Sequence, residues 1–333
     1  MTYSIIIPVY NRPDEMAELM KSLSEQEGNV SFEVVIIEDG STQACDKIVA
    51  LYENRMSILY HSKPNTGRSD SRNVGMKLAR GDYFILVDSD CMFPPCYLMQ
   101  LDENLHKNYS DCYGGPDAAH ESFSPVQKAI NYAMTSFFTT GGIRGGKKQM
   151  EKFKPRSFNM GFSREVFNRV GGFSTILSPG EDIDLSIRIS DAGFNISLYR
   201  DVYVFHKRRI SFKKFFKQVS EFGIVRVDLA VLHKGSMKIV HAFPSLFLLC
   251  MAAILLLSLF HNPCWLLFPA FYSLLIFTDA LLKTKKMKTA IYAVVAAYIQ
   301  LTGYGLGFLK SLILLCFNRK KHYCADNPEQ KKN

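Results

Sequence analysis

Nowhere in these 333 residues do two cysteines fall in a CxxC spacing. The eight cysteines are scattered, and Cys91 and Cys96 have no partner close by in the chain. That spread excludes a disulfide framework or a zinc cluster and fits a reduced, cytosolic protein. No cleavable leader is read at the front: Met1-Thr2-Tyr3-Ser4 runs straight into Ile5-Ile6-Ile7, so the first half is expected to stay in the cytosol. No nucleic-acid recognition motif accompanies the net charge of +9. The basic excess is local instead. Residues 203–242 hold nine Lys or Arg against two acids, just ahead of a long apolar run. The partner this predicts is an anionic membrane surface rather than a nucleic acid.

Charge is missing altogether from the eighteen residues 243–260, and residues 264–282 carry only Asp279. Each stretch is close to the ~20 residues that a bilayer span needs. The turn between them, His261-Asn262-Pro263, has no cation, whereas Lys283-Thr284-Lys285-Lys286-Met287-Lys288 follows the second. By the positive-inside rule that basic loop faces the cytosol, along with everything before residue 243. Residues 289–317 are longer than one upright span, with Lys310 inside and Gly303, Gly305 and Gly307 expected to break the middle. They are read either as a third span or as a bent, re-entrant or interfacial pair. Phe212-Lys213-Lys214-Phe215-Phe216-Lys217 mixes aromatics with cations, as an amphipathic helix in the headgroup layer would.

The part before the apolar runs alternates short apolar strands with helices. Strands are predicted at Tyr3–Val9, Phe32–Glu38, Met56–His61 and Tyr83–Asp88. Between them, Met16, Leu19, Met20 and Leu23 repeat at helical spacing, Ile48, Leu51 and Tyr52 mark a second helix, and 68–79 reads as a third. The pattern predicts an α/β fold with a doubly wound, mainly parallel sheet, whose ligands sit at the carboxyl ends of the strands. Gly141-Gly142-Ile143-Arg144-Gly145-Gly146-Lys147-Lys148 reads as a loop; it fails as a P-loop because Lys148 stands where a Mg²⁺-binding hydroxyl is needed. Residues 181–190 are ambiguous, since Ile183, Leu185, Ile187 and Ile189 alternate as in a strand.

The fourth strand delivers Asp88-Ser89-Asp90. In an extended end, residues two apart point the same way, so both carboxylates can reach one ligand. Bare carboxylates that close repel, and a hard divalent cation between them, Mg²⁺ or Mn²⁺, would relieve the repulsion and hold a diphosphate. An Asp-Ser-Asp turn with no ligand is the plain alternative. The motif has company, however. Ser4-Ile5-Ile6-Ile7-Pro8-Val9-Tyr10-Asn11, Val35-Ile36-Ile37-Glu38-Asp39-Gly40-Ser41, Asn65-Thr66-Gly67, Ser71-Arg72-Asn73 and Gly81-Asp82-Tyr83 precede it. Gly171-Gly172-Phe173, Gly180-Glu181-Asp182-Ile183-Asp184-Leu185 and His206 follow. In that order, over roughly residues 4–206, the chain resembles a membrane-anchored, family-2 glycosyltransferase of the GT-A fold, of the kind that builds bacterial surface polysaccharide.

With the apolar runs and the charge pattern, this divides the chain into a catalytic domain at 1–210, an amphipathic linker at 211–238, a membrane region at 239–317 and a basic tail at 318–333. The resemblance also implies roles. Pro8 and Tyr10 would wall the base pocket, and Asp39 would accept from the uracil ring N–H. Asn11, Asn65, Arg68, Asn73, Asp88 and Ser89 would complete the nucleotide-sugar site. Asp88, Asp90 and His206 would hold the metal. Asp182 would be the general base, paired with Glu181 on the acceptor side, on a helix over Glu181–Ala192. The donor would be a nucleotide sugar, UDP-linked by preference, and the acceptor a lipid-linked or other saccharide at the inner membrane. The QxxRW of processive members is absent, with Gln218-Val219-Ser220-Glu221-Phe222 in its place, which implies one sugar per acceptor. Three rival readings remain: a nucleotidyltransferase, disfavoured because Tyr10-Asn11-Arg12-Pro13-Asp14 is not a glycine-rich loop; a non-catalytic membrane-anchored partner; and a transporter, for which polar residues in the apolar part are sparse.

Overall fold

The computed structural model describes residues 1–141, 153–208 and 210–317. Residues 142–148 of the rejected P-loop and the basic tail 318–333 lie outside them. The described residues fall into two compact units: 1–120 with 153–207, and 121–141 with 208 and 210–317.

In chain order the first unit opens with β1 (Tyr3–Val9), α1 (Pro13–Ser24), β2 (Phe32–Asp39), α2 (Asp46–Ala50), β3 (Ser57–Lys63), α3 (Arg68–Leu78) and β4 (Tyr83–Leu86). It continues with β5 (Cys91–Met92), α4 (Tyr97–Lys107), β6 (Cys112–Gly114) and β7 (Asp117–Ala118). The second unit then contributes α5 (Pro125–Thr135) and α6 (Phe137–Thr140). The first resumes with β8 (Met160–Ser163), α7 (Arg164–Val170), α8 (Glu181–Asp191), β9 (Ile196–Leu198) and β10 (Val204–His206). Four long helices end the described chain: α9 (Phe212–Leu232), α10 (Phe243–Phe260), α11 (Leu267–Thr284) and α12 (Met287–Cys316).

A seven-stranded sheet runs β3-β2-β1-β4-β8-β6-β9. The first four strands are parallel, with Tyr3 opposite both Phe32 and Tyr83, and β8 enters antiparallel between β4 and β6. A small sheet, β5-β10-β7, stands beside it. Every residue of β1 is buried, because helices cover both faces. Ile5 and Ile7 share a core with Met16, Leu19 and Met20 of α1 and Leu98 and Leu101 of α4. Ile6 joins Met76 of α3 and Leu185 and Ile189 of α8 on the other side. The chain leaves β1 towards β2 and β3, then returns to β4 on the opposite edge of β1. That reversal opens a crevice at the carboxyl ends of β1 and β4, the usual place for a ligand in such sheets.

One local expectation changes, and one that the resemblance implied, a helix from Glu181, holds. The fourth strand stops at Leu86, and Ser89 and Asp90 form a turn in which the Cys91 N–H bonds the Asp88 carbonyl at 3.1 Å. The alternating segment at 181–190 is helical: Leu185 and Ile189 are buried four apart, and Ile183 and Ile187 are only half-buried.

In the second unit, Ala129, Ile130 and Ala133 of α5 share a core with Phe215 and Val219 of α9 and with Ala290, Ala293, Ala296 and Ala297 of α12. The glycines do not break α12, which is one continuous helix of 30 residues. They stand where backbones meet: a Cβ on Gly307 would lie 2.1 Å from the Ser220 carbonyl oxygen, and one on Gly305 would lie 2.6 Å from that of Pro244. Small residues at such crossings let helices pack closely enough to outweigh the loss of helix propensity. Three segments, Ile239–Phe260, Pro263–Thr284 and Met287–Cys316, are long and apolar enough to cross a membrane.

Candidate active site

The loops after β1, β2 and β4 meet at the crevice, and α3 and α8 aim their N-termini from one side of the sheet. After β1, Pro8 is buried in the strand and Tyr10 is 50% exposed. Asn11 takes a positive φ of 51°, which asparagine tolerates better than most residues. Its side-chain oxygen accepts the N–H groups of Thr42 (2.8 Å) and Gln43 (3.0 Å), and its own N–H donates to Ser41 Oγ at 2.7 Å. Asn11 therefore ties the loop after β1 to the loop after β2.

Asp39, at the end of β2, is 3% exposed, and each of its oxygens accepts from the protein. Lys63 Nζ approaches Oδ1 at 2.5 Å, the Thr66 N–H donates to Oδ1 and the Gly67 N–H to Oδ2, each at 3.0 Å. Burial alone would raise its pKa; the Lys63 ammonium, the Thr66 N–H and the Ser71 hydroxyl outweigh burial and hold it below the usual carboxylate range. Asp39 thus remains an acceptor-only group that also fixes the start of α3. Asn65 is exposed on the same loop, and its backbone N would lie 2.6 Å from a Cβ on Gly40, whose φ is 70°. Asn73 is committed elsewhere: its amide exchanges two hydrogen bonds with the Phe173 backbone, at 2.8 and 2.9 Å.

Ser71-Arg72-Asn73 is the hub of the site. Arg72 has no exposed surface. Its Nη2 meets Asp88 Oδ1 at 2.5 Å, its Nη1 meets Glu181 Oε1 at 3.1 Å, and its guanidinium carbon lies 5.1 Å from the centre of the Phe173 ring. Burial would lower the Arg72 pKa, and the two carboxylates more than reverse that. Arg68 grips the same Glu181, with Nε 2.8 Å from Oε1 and Nη2 3.1 Å from Oε2. Of these four charges only Arg72 and Glu181 are both buried, and stripping a partner from such a buried pair costs about 3–5 kcal/mol. The sequence reading gave Arg72 no role of its own; its only signal was its place in the Ser71-Arg72-Asn73 motif.

Asp88 and Asp90 leave their turn towards different partners. Asp88 faces Arg72, while Asp90 Oδ2 lies 3.6 Å from Arg12 Nη1 and Asp90 Oδ1 3.3 Å from His206 Nε2. Ser89, between them, is buried. Each carboxylate has a guanidinium beside it, so mutual repulsion no longer demands a metal. The argument for one now rests on Asp90 and His206. Their ligand atoms and the Cys91 Sγ all lie within 4.8 Å of one another. An octahedral ion about 2.1 Å from each of two ligands separates them by about 3 Å, close to the Asp90–His206 spacing. His206 Nδ1 faces Asp117 Oδ2 at 3.8 Å, which turns Nε2 towards Asp90. Asp90 and His206 offer a carboxylate oxygen and an imidazole nitrogen that could together hold a divalent ion.

Asp182 lies in the first turn of α8; its Oδ1 accepts the Ile183 N–H at 2.8 Å and lies 3.9 Å from Arg156 Nη1. Among the described residues, its Oδ2 takes no hydrogen bond from the protein. The partial positive charge of the α8 N-terminus lies beside both Glu181 and Asp182. Glu181 is 2% exposed, and both of its oxygens are taken by guanidinium groups.

Residues 4–171 match the family model described as Glycosyl transferase family 2. An uncharacterized glycosyltransferase of Haemophilus influenzae is 28% identical over 221 residues, covering 62% of this chain and 70% of that protein. Hyaluronan synthase of Pasteurella multocida is 33% identical over 237 residues, covering 61% of this chain but 24% of that protein. The chain therefore spans only a fraction of that synthase's length. A mannosyltransferase from Pyrobaculum calidifontis, solved in complex with GDP-Man and Mn²⁺, has a TM-score of 0.63 at 15% identity, over 89% of this chain and 86% of that one. At that identity the likeness is one of fold, a mixed α/β sheet of the GT-A type with further helices.

Proposed function

The chain belongs to glycosyl transferase family 2, and on that premise we propose that it is a metal-dependent, inverting enzyme. It moves one sugar from a nucleotide sugar, UDP-linked by preference, to a membrane-associated, polyprenyl-linked saccharide in surface-polysaccharide assembly. The observation that carries this reading is the Asp90–His206 cradle beside Asp88, at the point where the sheet reverses its strand order. The mannosyltransferase that shares the fold was solved with Mn²⁺ and a nucleotide sugar.

Asp39, held ionised, can accept the imide N–H of uracil, with Pro8 and Tyr10 beside the base; Asn65, Arg68 and Ser89 belong to the same donor-binding set. Asp90 and His206, with Asp88 next to them, would hold Mn²⁺ or Mg²⁺, which supplies neutralising charge to the departing diphosphate. Asp182 takes the proton of the acceptor hydroxyl. The new C–O bond forms on the face opposite the departing nucleotide, so the anomeric configuration inverts through an oxocarbenium-like state. The missing QxxRW motif supports single transfers rather than chain extrusion. The apolar helices and the Lys283–Lys288 loop support a seat on the cytosolic face of the cytoplasmic membrane.

The test is a panel of UDP- and GDP-sugars presented with Mn²⁺ to the full chain in detergent, scoring released nucleoside diphosphate. Release from a UDP-sugar is expected. Release only from a GDP-sugar overturns the base assignment, and nucleotide binding with no release from any donor overturns the enzymatic reading. Asp182→Asn should lose about 10²–10⁴-fold in turnover while binding UDP as before. Turnover within a few-fold of wild type would remove Asp182 as the base.

A further inference from the structure

We propose that Glu181 is a positioning residue of the donor site and not a proton acceptor: by sharing Arg72 with Asp88, it sets how much negative charge Asp88 offers to the metal and donor. This rests on the reading above, in which the crevice binds a metal–nucleotide complex.

The geometry speaks against Glu181 as a base. Both of its oxygens accept from guanidinium groups, at 2.8 to 3.1 Å, and the side chain is buried. A carboxylate clamped between two guanidinium groups has its lone pairs committed to them. Its bonds instead run from the first turn of α8, through Arg72 in α3, to the turn after β4. Arg72 divides one positive charge between two carboxylates, and its Nε has no hydrogen-bond partner among the described residues. While Glu181 draws on that charge, Asp88 is only partly neutralised and keeps attraction for a cation. Without Glu181, the buried guanidinium would pair with Asp88 alone and cancel it. Arg68 acts in the opposite sense, because it competes with Arg72 for Glu181.

The two substitutions therefore have opposite signs. Glu181→Gln should weaken Mn²⁺ binding by about 10- to 100-fold, the range seen when groups behind a metal ligand are removed. It should raise the donor KM more than it lowers kcat, and leave the pH profile of turnover at saturating Mn²⁺ unmoved. Glu181→Asp should recover part of the affinity. Arg68→Gln removes an exposed cation without burying anything new, and should tighten Mn²⁺ binding measured without nucleotide. Mn²⁺ affinity is read by electron paramagnetic resonance titration of the full chain in detergent, alongside its thermal melt. Should Glu181→Gln fail to fold, the sign of the Arg68→Gln effect decides alone. Unchanged Mn²⁺ affinity in the folded variants overturns the proposal, as does a loss of kcat in Glu181→Gln matching that of Asp182→Asn with intact Mn²⁺ and UDP binding. A wild-type chain that binds neither Mn²⁺ nor UDP is a different failure: it overturns the donor-site reading itself and this proposal with it.

Discussion

At the scale of single residues, the site depends on which cation stands beside which carboxylate. Asp39 shows how this reaches stability. Its folded pKa lies below the ordinary value, so its contribution is fully present above about pH 3.9, the unfolded value, and is lost as pH falls through the lower folded value. Glu33 behaves alike: burial would raise it, and the Arg80 N–H, the Ser4 hydroxyl and the Arg80 guanidinium lower it. Lys63→Met keeps the burial of Asp39 but deletes its ammonium. The acid-side fall in melting temperature should therefore begin at higher pH in Lys63→Met than in wild type, when the full chain is melted in detergent from about pH 6 down to about pH 3. Superimposable pH dependences would mean that Lys63 does not govern the charge of Asp39.

At the scale of elements, the contact between α9 and α12 is decided by hydrogen atoms standing where side chains usually do. Gly223 of α9 meets the Tyr304 carbonyl, and Gly303 and Gly307 of α12 meet Val219 and the Ser220 carbonyl. No rotamer of a larger residue avoids a backbone oxygen 2.1 Å from its own Cβ, so Gly307→Val must push the helices apart. Overpacking of this kind costs about 1–3 kcal/mol. A lowered melting temperature in detergent is expected. Gly193→Ala, at a position with nothing within 4 Å of the added Cβ but a φ of 84°, is the matching control for backbone strain without a clash. A melt for Gly307→Val no lower than that of the control would show that α9 and α12 are not in close contact.

At the scale of the whole chain, the question is which apolar helices enter lipid. Within their most apolar windows, α10 and α11 are 6% and 11% buried in the protein, against 39% for α12. One face of α12 is covered by α5 and α9, and Ile291, Val295, Leu306 and Ile313 are left exposed. Were α12 to cross the bilayer upright, α9 would carry the exposed Lys213, Lys214 and Lys217 into lipid beside it, at roughly 2.5–3.5 kcal/mol for each cation at the centre. The expected arrangement is α10 and α11 inserted and α12 lying in the headgroup layer with its apolar face down. The native cysteines report on it, since Cys264 follows α10 and Cys316 ends α12, and both are exposed. In intact cells an impermeant maleimide should label Cys264 and spare Cys316 until the membrane is opened. Labelling of Cys316 from outside would restore α12 as a third span.

The amino-acid sequence alone determined what short-range pattern can determine. The first strand and the limits of α10 follow from apolar runs and missing charge, read within roughly twenty residues, whereas the helix at α8 came only from the order of the motifs, its local pattern alternating as in a strand. The ordered motifs also identified the family. Only the tertiary structure decided how the charges are shared. Arg72 and Asp88 stand 16 residues apart in the chain and Arg68 and Glu181 113 apart. No local rule joins such pairs; the sheet does, by bringing α3, α8 and the turn after β4 to one edge. The same holds for the glycines of α12, which look like breaks along the chain and become contacts once α9 lies against them, because packing against a neighbour outweighs intrinsic propensity.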